Sequence, residues 1–128
     1  MPVQLNHTIV AARDKKAAAD FLATILGLEV GVPHGPFLPV ETSNGVALDF
    51  MDTGADQVNR QHYAFLVSEE DFDAIFGRIK QAGIVFYADP HHHQAGQINH
   101  HDGGRGVYFE DLNGHNLEII TRPYGSGG

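Results

Sequence analysis

The amino-acid sequence predicts an α+β domain built from two similar halves, each with the order strand, helix, strand, strand, strand. Three observations support this fold class. A short β-type run with a histidine at its second position occurs twice, at 6–10 and at 61–65. Seven residues after each histidine, an acidic residue (Asp14 or Glu69) marks the start of an amphipathic helical pattern. A later strand of each half carries one carboxylate between apolar residues.

The first half is expected to cover residues 4–52. Its helix is expected at 14–26, because apolar side chains recur there at helical spacing and Gly27 favours a stop. The turn between its last two strands is expected at Asn44-Gly45, a pair that favours a two-residue hairpin turn. The strands of this half are expected at 5–11, 28–32, 37–41 and 46–51.

The second half is expected to cover residues 61–122, after a polar linker at 52–60. Ser68 as the N-cap and Asp71 at the third helical position predict where its helix begins. The strands of this half are expected at 62–67, 84–88, 106–110 and 116–121.

Two polar segments stand apart from these elements. Residues 89–104, the histidine loop, hold five of the nine histidines of the chain. A loop of this length in a compact domain is usually functional or mobile, so it is expected to cover a site from one side. Residues 123–128 are rich in glycine and are expected to form a flexible tail.

Composition limits the classes of partner and compartment. At 128 residues the chain is expected to form a single domain, 1–128. The net charge of −8, with only eight Lys and Arg residues, argues against nucleic-acid binding. No apolar run approaches the roughly 20 residues of a membrane span, and no signal-peptide pattern is present, so a cytoplasmic protein is expected. The absence of cysteine excludes disulfides and thiolate metal sites.

Each half supplies one strand histidine and one strand carboxylate, namely His7 with Asp49 and His62 with Glu118. Two histidines and one or two carboxylates are the ligand set of a divalent metal site. A lone strand histidine is usually a core or surface residue, but its recurrence at equivalent positions favours ligation. A buried carboxylate without a cation carries a heavy desolvation cost, which also favours a metal. For Asp49 the alternative is a carboxylate that is held by hydrogen bonds.

Three motifs resemble the vicinal oxygen chelate superfamily, which includes glyoxalase I, bleomycin-resistance proteins, fosfomycin-resistance enzymes and extradiol dioxygenases. They are LNHTI at 5–9, QHYAF at 61–65 and RGVYFEDLNGHNLE at 105–118, and the resemblance extends over residues 4–122. The histidine loop followed by DGGRG at 102–106 also resembles a narrower, ChaP-like group of this superfamily. That narrower resemblance implies an oxidative ring rearrangement in antibiotic biosynthesis.

The resemblance implies paired βαβββ modules that form an open, cup-shaped sheet around a divalent metal. By position in the motifs, the implied ligands are His7, His62 and Glu118. Asp49 is the nearest candidate for a fourth ligand, although it is shorter than the glutamate usual in glyoxalase I. Family members commonly pair two chains, so a homodimer is expected, with the cup formed within one chain or across the dimer.

Three further residues are candidates for catalysis. His91, in the run of three histidines at 91–93, is expected either to contact the substrate or to lie in a solvated loop. Arg105 is expected either to clamp an anion or enolate or to pair with a surface acid. Tyr108 and Phe109 must point to opposite faces of their strand, so only one of them lines the pocket.

The number of protein ligands separates the candidate functions. Three ligands leave a divalent ion with three open positions, the pattern of non-haem Fe(II) oxygenases. The leading hypothesis is therefore an Fe(II) enzyme that acts with O₂ on an oxygenated aromatic compound. The resemblance adds ring cleavage or rearrangement with lactone formation. If Asp49 also binds, a glyoxalase-like isomerase or lyase with Zn, Ni or Mn is favoured. A dimer that sequesters an antibiotic without chemistry is the third hypothesis.

Overall fold

The computed structural model describes residues 2–127. Met1 and Gly128, the two ends of the expected domain and tail, lie outside the described residues. The chain forms two compact units, one up to Asn59 and one from Arg60 onward. This boundary lies inside the polar linker expected at 52–60. No helix among the described residues has both the length and the apolar character that a membrane crossing needs.

The first unit has one helix and a three-stranded sheet. Its strand order is β1-β3-β2, with β1 parallel and β2 antiparallel to β3. Asp14 caps the helix because its side chain accepts the backbone N–H groups of two residues in the first turn. Gly27 ends the helix in the left-handed conformation, at φ 73°. The elements are β1 (His7–Ala12), α1 (Lys15–Leu26), β2 (Leu38–Glu41) and β3 (Ala47–Asp52).

The prediction of a strand at 28–32 is wrong. This segment forms only an isolated bridge between Val30 and Val40, beside a hydrogen bond of 2.8 Å from the Gly31 N–H to the Pro39 carbonyl. Proline has no N–H, so Pro39 cannot return the second bond that would extend the ladder. The segment therefore runs beside the sheet as a loop.

The second unit has one helix and a four-stranded sheet of order β4-β7-β6-β5, with β4 parallel to β7. The predicted N-cap is confirmed, because Ser68 Oγ accepts the Asp71 N–H at 3.0 Å. The strand predicted at 84–88 is reduced to two residues. The elements are β4 (His62–Leu66), α2 (Glu69–Gln81), β5 (Phe86–Tyr87), β6 (Gly106–Glu110) and β7 (Asn116–Ile120). Two helices and two mixed sheets confirm the α+β class.

The strand register repeats the pattern of the sequence in both units. In the first unit His7 pairs with Ala47, two residues before Asp49. In the second unit His62 pairs with Asn116, two residues before Glu118. Paired residues share a face of the sheet and successive residues alternate, so each histidine lies on the same face as the carboxylate of its unit.

We expect Ser68→Ala to lower the free energy of unfolding by about 1 kcal/mol, because the Asp71 N–H loses its cap. Urea unfolding followed by circular dichroism measures this loss. Ser43→Ala is the control, since Ser43 is exposed in a turn. Equal stability of the two variants would show that the Ser68 side chain does not stabilise the start of α2.

Candidate functional site

Glu118 is the centre of the candidate site. It lies on β7, between β4 and β6, and its side chain is fully buried. A carboxylate removed from water is unstable unless both of its oxygens find partners. Here Oε1 lies 3.1 Å from Nε2 of His62, and Oε2 accepts the phenol of Tyr124. Each oxygen of Glu118 therefore has one defined neighbour.

The imidazole of His62 is oriented by the backbone. Its Nδ1 lies 2.9 Å from the carbonyl oxygen of Asn116, the residue that it faces across the ladder. A carbonyl only accepts hydrogen bonds, so Nδ1 carries the proton and, in the neutral ring, Nε2 presents a lone pair. A backbone carbonyl on the far nitrogen is the usual support of a histidine that ligates a metal.

Nε2 of His62 and Oε1 of Glu118 face each other 3.1 Å apart, and both present lone pairs when the imidazole is neutral and the carboxylate ionised. The contact therefore requires a shared cation, either a proton or a metal ion. Two ligands at about 2.1 Å from a metal and at right angles are roughly 3.0 Å apart. The spacing and the chemistry of this donor pair fit a divalent ion.

Tyr108 forms the aromatic wall beside this pair. It faces Glu118 across the ladder, and its ring is stacked on that of His62 with centroids 5.9 Å apart. Its hydroxyl lies 2.8 Å from the hydroxyl of Tyr124. Burial raises the pKa of Tyr108, and the hydrogen bond to Tyr124 and the charge of Glu118 raise it further. Tyr108 therefore keeps its proton at neutral pH.

Tyr108 and Phe109 point to opposite faces of β6, as predicted. Phe109 pairs with Leu117 and is fully buried. Tyr108 shares its face with Glu118. Of the two aromatic residues, Tyr108 is thus the one beside the candidate site.

In the histidine loop, His92 forms a hydrogen bond with Asn116, the residue whose carbonyl orients His62. Its Nε2 lies 2.9 Å from Oδ1 of Asn116, and its ring is stacked on Tyr87 with centroids 4.0 Å apart. His92 adopts a left-handed backbone conformation, at φ 62°, and its side chain contacts Asn116 on β7. His91, the expected catalytic residue, is exposed, and its ring contacts that of His93.

Arg105 forms ion pairs with two acidic side chains of helix α2. Its guanidinium donates to Oε1 of Glu69 at 2.8 Å and to Oδ1 of Asp73 at 2.7 Å. Its guanidinium carbon also lies 4.4 Å from the centre of the Phe72 ring. These contacts correspond to the surface-acid alternative rather than to an anion clamp, because the planar donor groups are already occupied.

In the first unit, Asp49 is buried at 4% exposure, and among the described residues its Oδ1 has no hydrogen-bond partner. Nε2 of His34 lies 3.6 Å from that oxygen. His7 is exposed, and its Nδ1 lies 2.7 Å from Oδ1 of Asn6, which leaves a lone pair on Nε2. Within residues 2–127, no three histidine or carboxylate side chains are gathered into a preformed metal site.

Three residues of the second unit were not singled out by the sequence: Tyr124 bonds to Glu118, the Asn116 carbonyl orients His62, and His92 contacts the Asn116 side chain. Asn116 had a usable signal, because a residue two positions before Glu118 on a strand shares its face. Nothing in the run of three histidines distinguishes His92 from His91. Tyr124 lies in the segment expected to be a flexible tail, yet its hydroxyl contacts Glu118.

Comparisons with known proteins identify the family of this chain and several relatives. The family model for the Glyoxalase/Bleomycin resistance protein/Dioxygenase superfamily matches residues 4–119. Glutathione transferase FosA from Serratia marcescens is 30% identical over 122 residues, which cover 90% of this chain and 78% of that protein. The structure of oxidase ChaP-H2 is 69% identical over the whole of both chains, with a TM-score of 0.97. That of oxidase ChaP-H1 is 56% identical over 97% of this chain and 99% of that one, with a TM-score of 0.93.

We expect Asn116→Ala to loosen the part of the histidine loop around His92 without disturbing His62, because the orienting carbonyl of residue 116 remains. The variant loses the side-chain contact with His92 and the bond to the Pro90 carbonyl, together about 1–2 kcal/mol of local stability. Hydrogen exchange followed by mass spectrometry should show faster exchange at 90–94. His93→Ala is the matched control, since His93 is exposed; equal exchange in both variants would disprove this role of Asn116.

Proposed function

This chain belongs to the Glyoxalase/Bleomycin resistance protein/Dioxygenase superfamily, and from that premise we propose that it is a metal-dependent oxygenase that acts with O₂ on an oxygenated aromatic compound. The observation that carries this proposal is the facing pair of His62 and Glu118, whose two acceptor atoms require a shared cation. Its similarity over the full length to two proteins named oxidases supports oxidative chemistry.

His62 Nε2 and Glu118 Oε1 are two of the proposed metal ligands. His7 is the proposed third ligand, because it holds the equivalent register position in the first unit and carries its proton on the same ring nitrogen. It is supplied by the same chain or by a second copy in a homodimer. Two neutral imidazoles and one carboxylate give a divalent ion a net charge of +1 and three open positions.

An ion bound there, Fe(II) in this proposal with Mn, Ni or Zn as alternatives, would be chelated by adjacent oxygens of the substrate and would leave a position for O₂. The protein's own groups position the substrate. The stacked rings of Tyr108 and His62 offer an apolar wall to an aromatic ring, and the protonated hydroxyl of Tyr108 lies beside the carboxylate. His92 borders the same face through Asn116. Oxidative ring cleavage or rearrangement with lactone formation is the proposed reaction.

Asp49 supports a second candidate function. Its buried oxygen without a partner in the described residues is the donor that a fourth ligand would provide. Four ligands would leave two open positions and favour Lewis-acid chemistry with Zn, Ni or Mn, of the glyoxalase-like isomerase or lyase type. The relationship to a protein named glutathione transferase, whose name indicates no oxidation, supports a non-oxidative alternative.

The oxygenase proposal is tested by electron paramagnetic resonance of anaerobic Fe(II)-loaded protein after addition of nitric oxide. We expect a high-spin iron–nitrosyl signal, because three protein ligands leave a position open to a diatomic gas. His62→Ala should abolish the signal. His93→Ala should retain it, since His93 is an exposed histidine of the histidine loop.

The absence of this signal, together with tight Zn or Ni binding, would overturn the oxygenase proposal and favour Lewis-acid chemistry. Binding of no divalent metal at all would overturn both and favour the sequestering dimer. The measurement therefore separates the three classes of function.

The ligand number is tested by Asp49→Ala. If three ligands suffice, we expect this variant to bind Mn²⁺ within about threefold of the unchanged protein, whereas His62→Ala weakens binding by about 100-fold or more. Isothermal titration calorimetry measures both dissociation constants. Equal losses in the two variants would disprove the three-ligand arrangement.

A further inference from the structure

Residues 122–127, the C-terminal segment, fold back onto the second unit. The Ser126 N–H donates to the Pro123 carbonyl at 3.1 Å and closes a turn. The carboxylate of Asp102, in the histidine loop, accepts the N–H groups of Gly125 at 3.1 Å and Gly127 at 3.2 Å. One side chain of the histidine loop thus anchors the C-terminal segment at two points.

The glycines of this segment are required by its path. Gly125 has a left-handed backbone, at φ 80°, which residues with a Cβ rarely adopt. A Cβ on Gly127 would overlap the backbone of Asp102. Asp102 itself is left-handed, at φ 57°, and so holds its carboxylate beneath the segment. This fit distinguishes the segment from a glycine-rich linker, whose glycines serve only flexibility.

The anchored segment brings Tyr124 to the candidate site. Its hydroxyl bonds to Oε2 of Glu118 and lies 2.8 Å from the hydroxyl of Tyr108. An ionised carboxylate has no proton to give, so the single proton of Tyr124 points to Glu118. Tyr108 must then donate to Tyr124. The hydroxyls form a directed chain from Tyr108 through Tyr124 to Glu118.

We propose that Tyr124 is a positioning residue for Glu118: its phenol occupies Oε2, so that the carboxylate offers only Oε1 to a metal ion beside Nε2 of His62. This inference rests on the proposed function, since it requires a metal at that pair. A carboxylate held through one oxygen uses a single coordination position and leaves the others for substrate and O₂. The C-terminal segment and Asp102 hold the phenol in place.

The test compares Tyr124→Phe with Tyr63→Phe in the full-length protein. Tyr63 lies on β4 with its ring against His115, away from the face that carries Glu118. The affinity for Mn²⁺ is measured from the signal of free Mn²⁺ in electron paramagnetic resonance. The visible spectrum of bound Co²⁺ reports the coordination geometry, which a change in fold stability alone does not alter.

We expect Tyr124→Phe to weaken Mn²⁺ binding by about 10–100-fold, the usual effect of removing a group that orients a ligand. The visible Co²⁺ bands should shift, because the freed Oε2 can take a coordination position that solvent holds in the unchanged protein. Tyr63→Phe should change neither quantity. Gly127→Val should reproduce both effects by displacing the segment, and it serves as the second variant if Tyr124→Phe does not fold.

An unchanged Co²⁺ spectrum with Mn²⁺ affinity within about twofold in Tyr124→Phe would overturn this inference while leaving the proposed function in place. Glu118→Gln distinguishes a failure of this inference alone from a failure of the proposed function. If Glu118→Gln binds Mn²⁺ as tightly as the unchanged protein, no metal lies at the pair, and both the inference and the proposed function are overturned.

Discussion

The burial of the Glu118 carboxylate is the constraint on which the second unit depends. It lies in the interior of the sheet with no access to water, where an unpaired charge costs several kcal/mol as a rough estimate. Tyr124 donates to Oε2, Oε1 faces Nε2 of His62, and the Asn116 carbonyl orients the imidazole. The edge strand β4, β7 and the C-terminal segment therefore all meet at one side chain.

The strand carboxylate has a different partner in each of the two units, although the strand pattern is the same. In both, the histidine and the carboxylate hold equivalent positions in a parallel ladder. In the second unit the long side chain of Glu118 reaches the strand histidine, whereas in the first the shorter Asp49 has a loop histidine, His34, as its neighbour at 3.6 Å. Register fixes the position of each residue, and side-chain length decides which partner it meets.

Sequence-based reasoning succeeded where the signal is local and failed where it depends on a distant partner. The start of the first helix near Asp14 and the cap at Ser68 depend on N–H groups within three residues of each side chain, so local sequence was enough to predict them. The strand predicted at 28–32 depended on β2, where Pro39 has no N–H to donate. The strand predicted at 84–88 was shortened because the N–H groups of its two end residues bond elsewhere: that of Ile84 to the Ile79 carbonyl in α2, and that of Ala88 to the Gln94 carbonyl in the histidine loop.

The sequence by itself determined the α+β class and the two helices, because capping and hydrophobic periodicity are encoded within a few neighbouring residues. The shared face of His62 and Glu118 depends on the register between β4 and β7. Only the tertiary structure decided that Arg105 is engaged by α2 and that Tyr124 reaches Glu118. These contacts join residues that are distant in the chain. The loop path behind the Tyr124 contact includes the left-handed backbone at Asp102, a conformation that composition does not reveal.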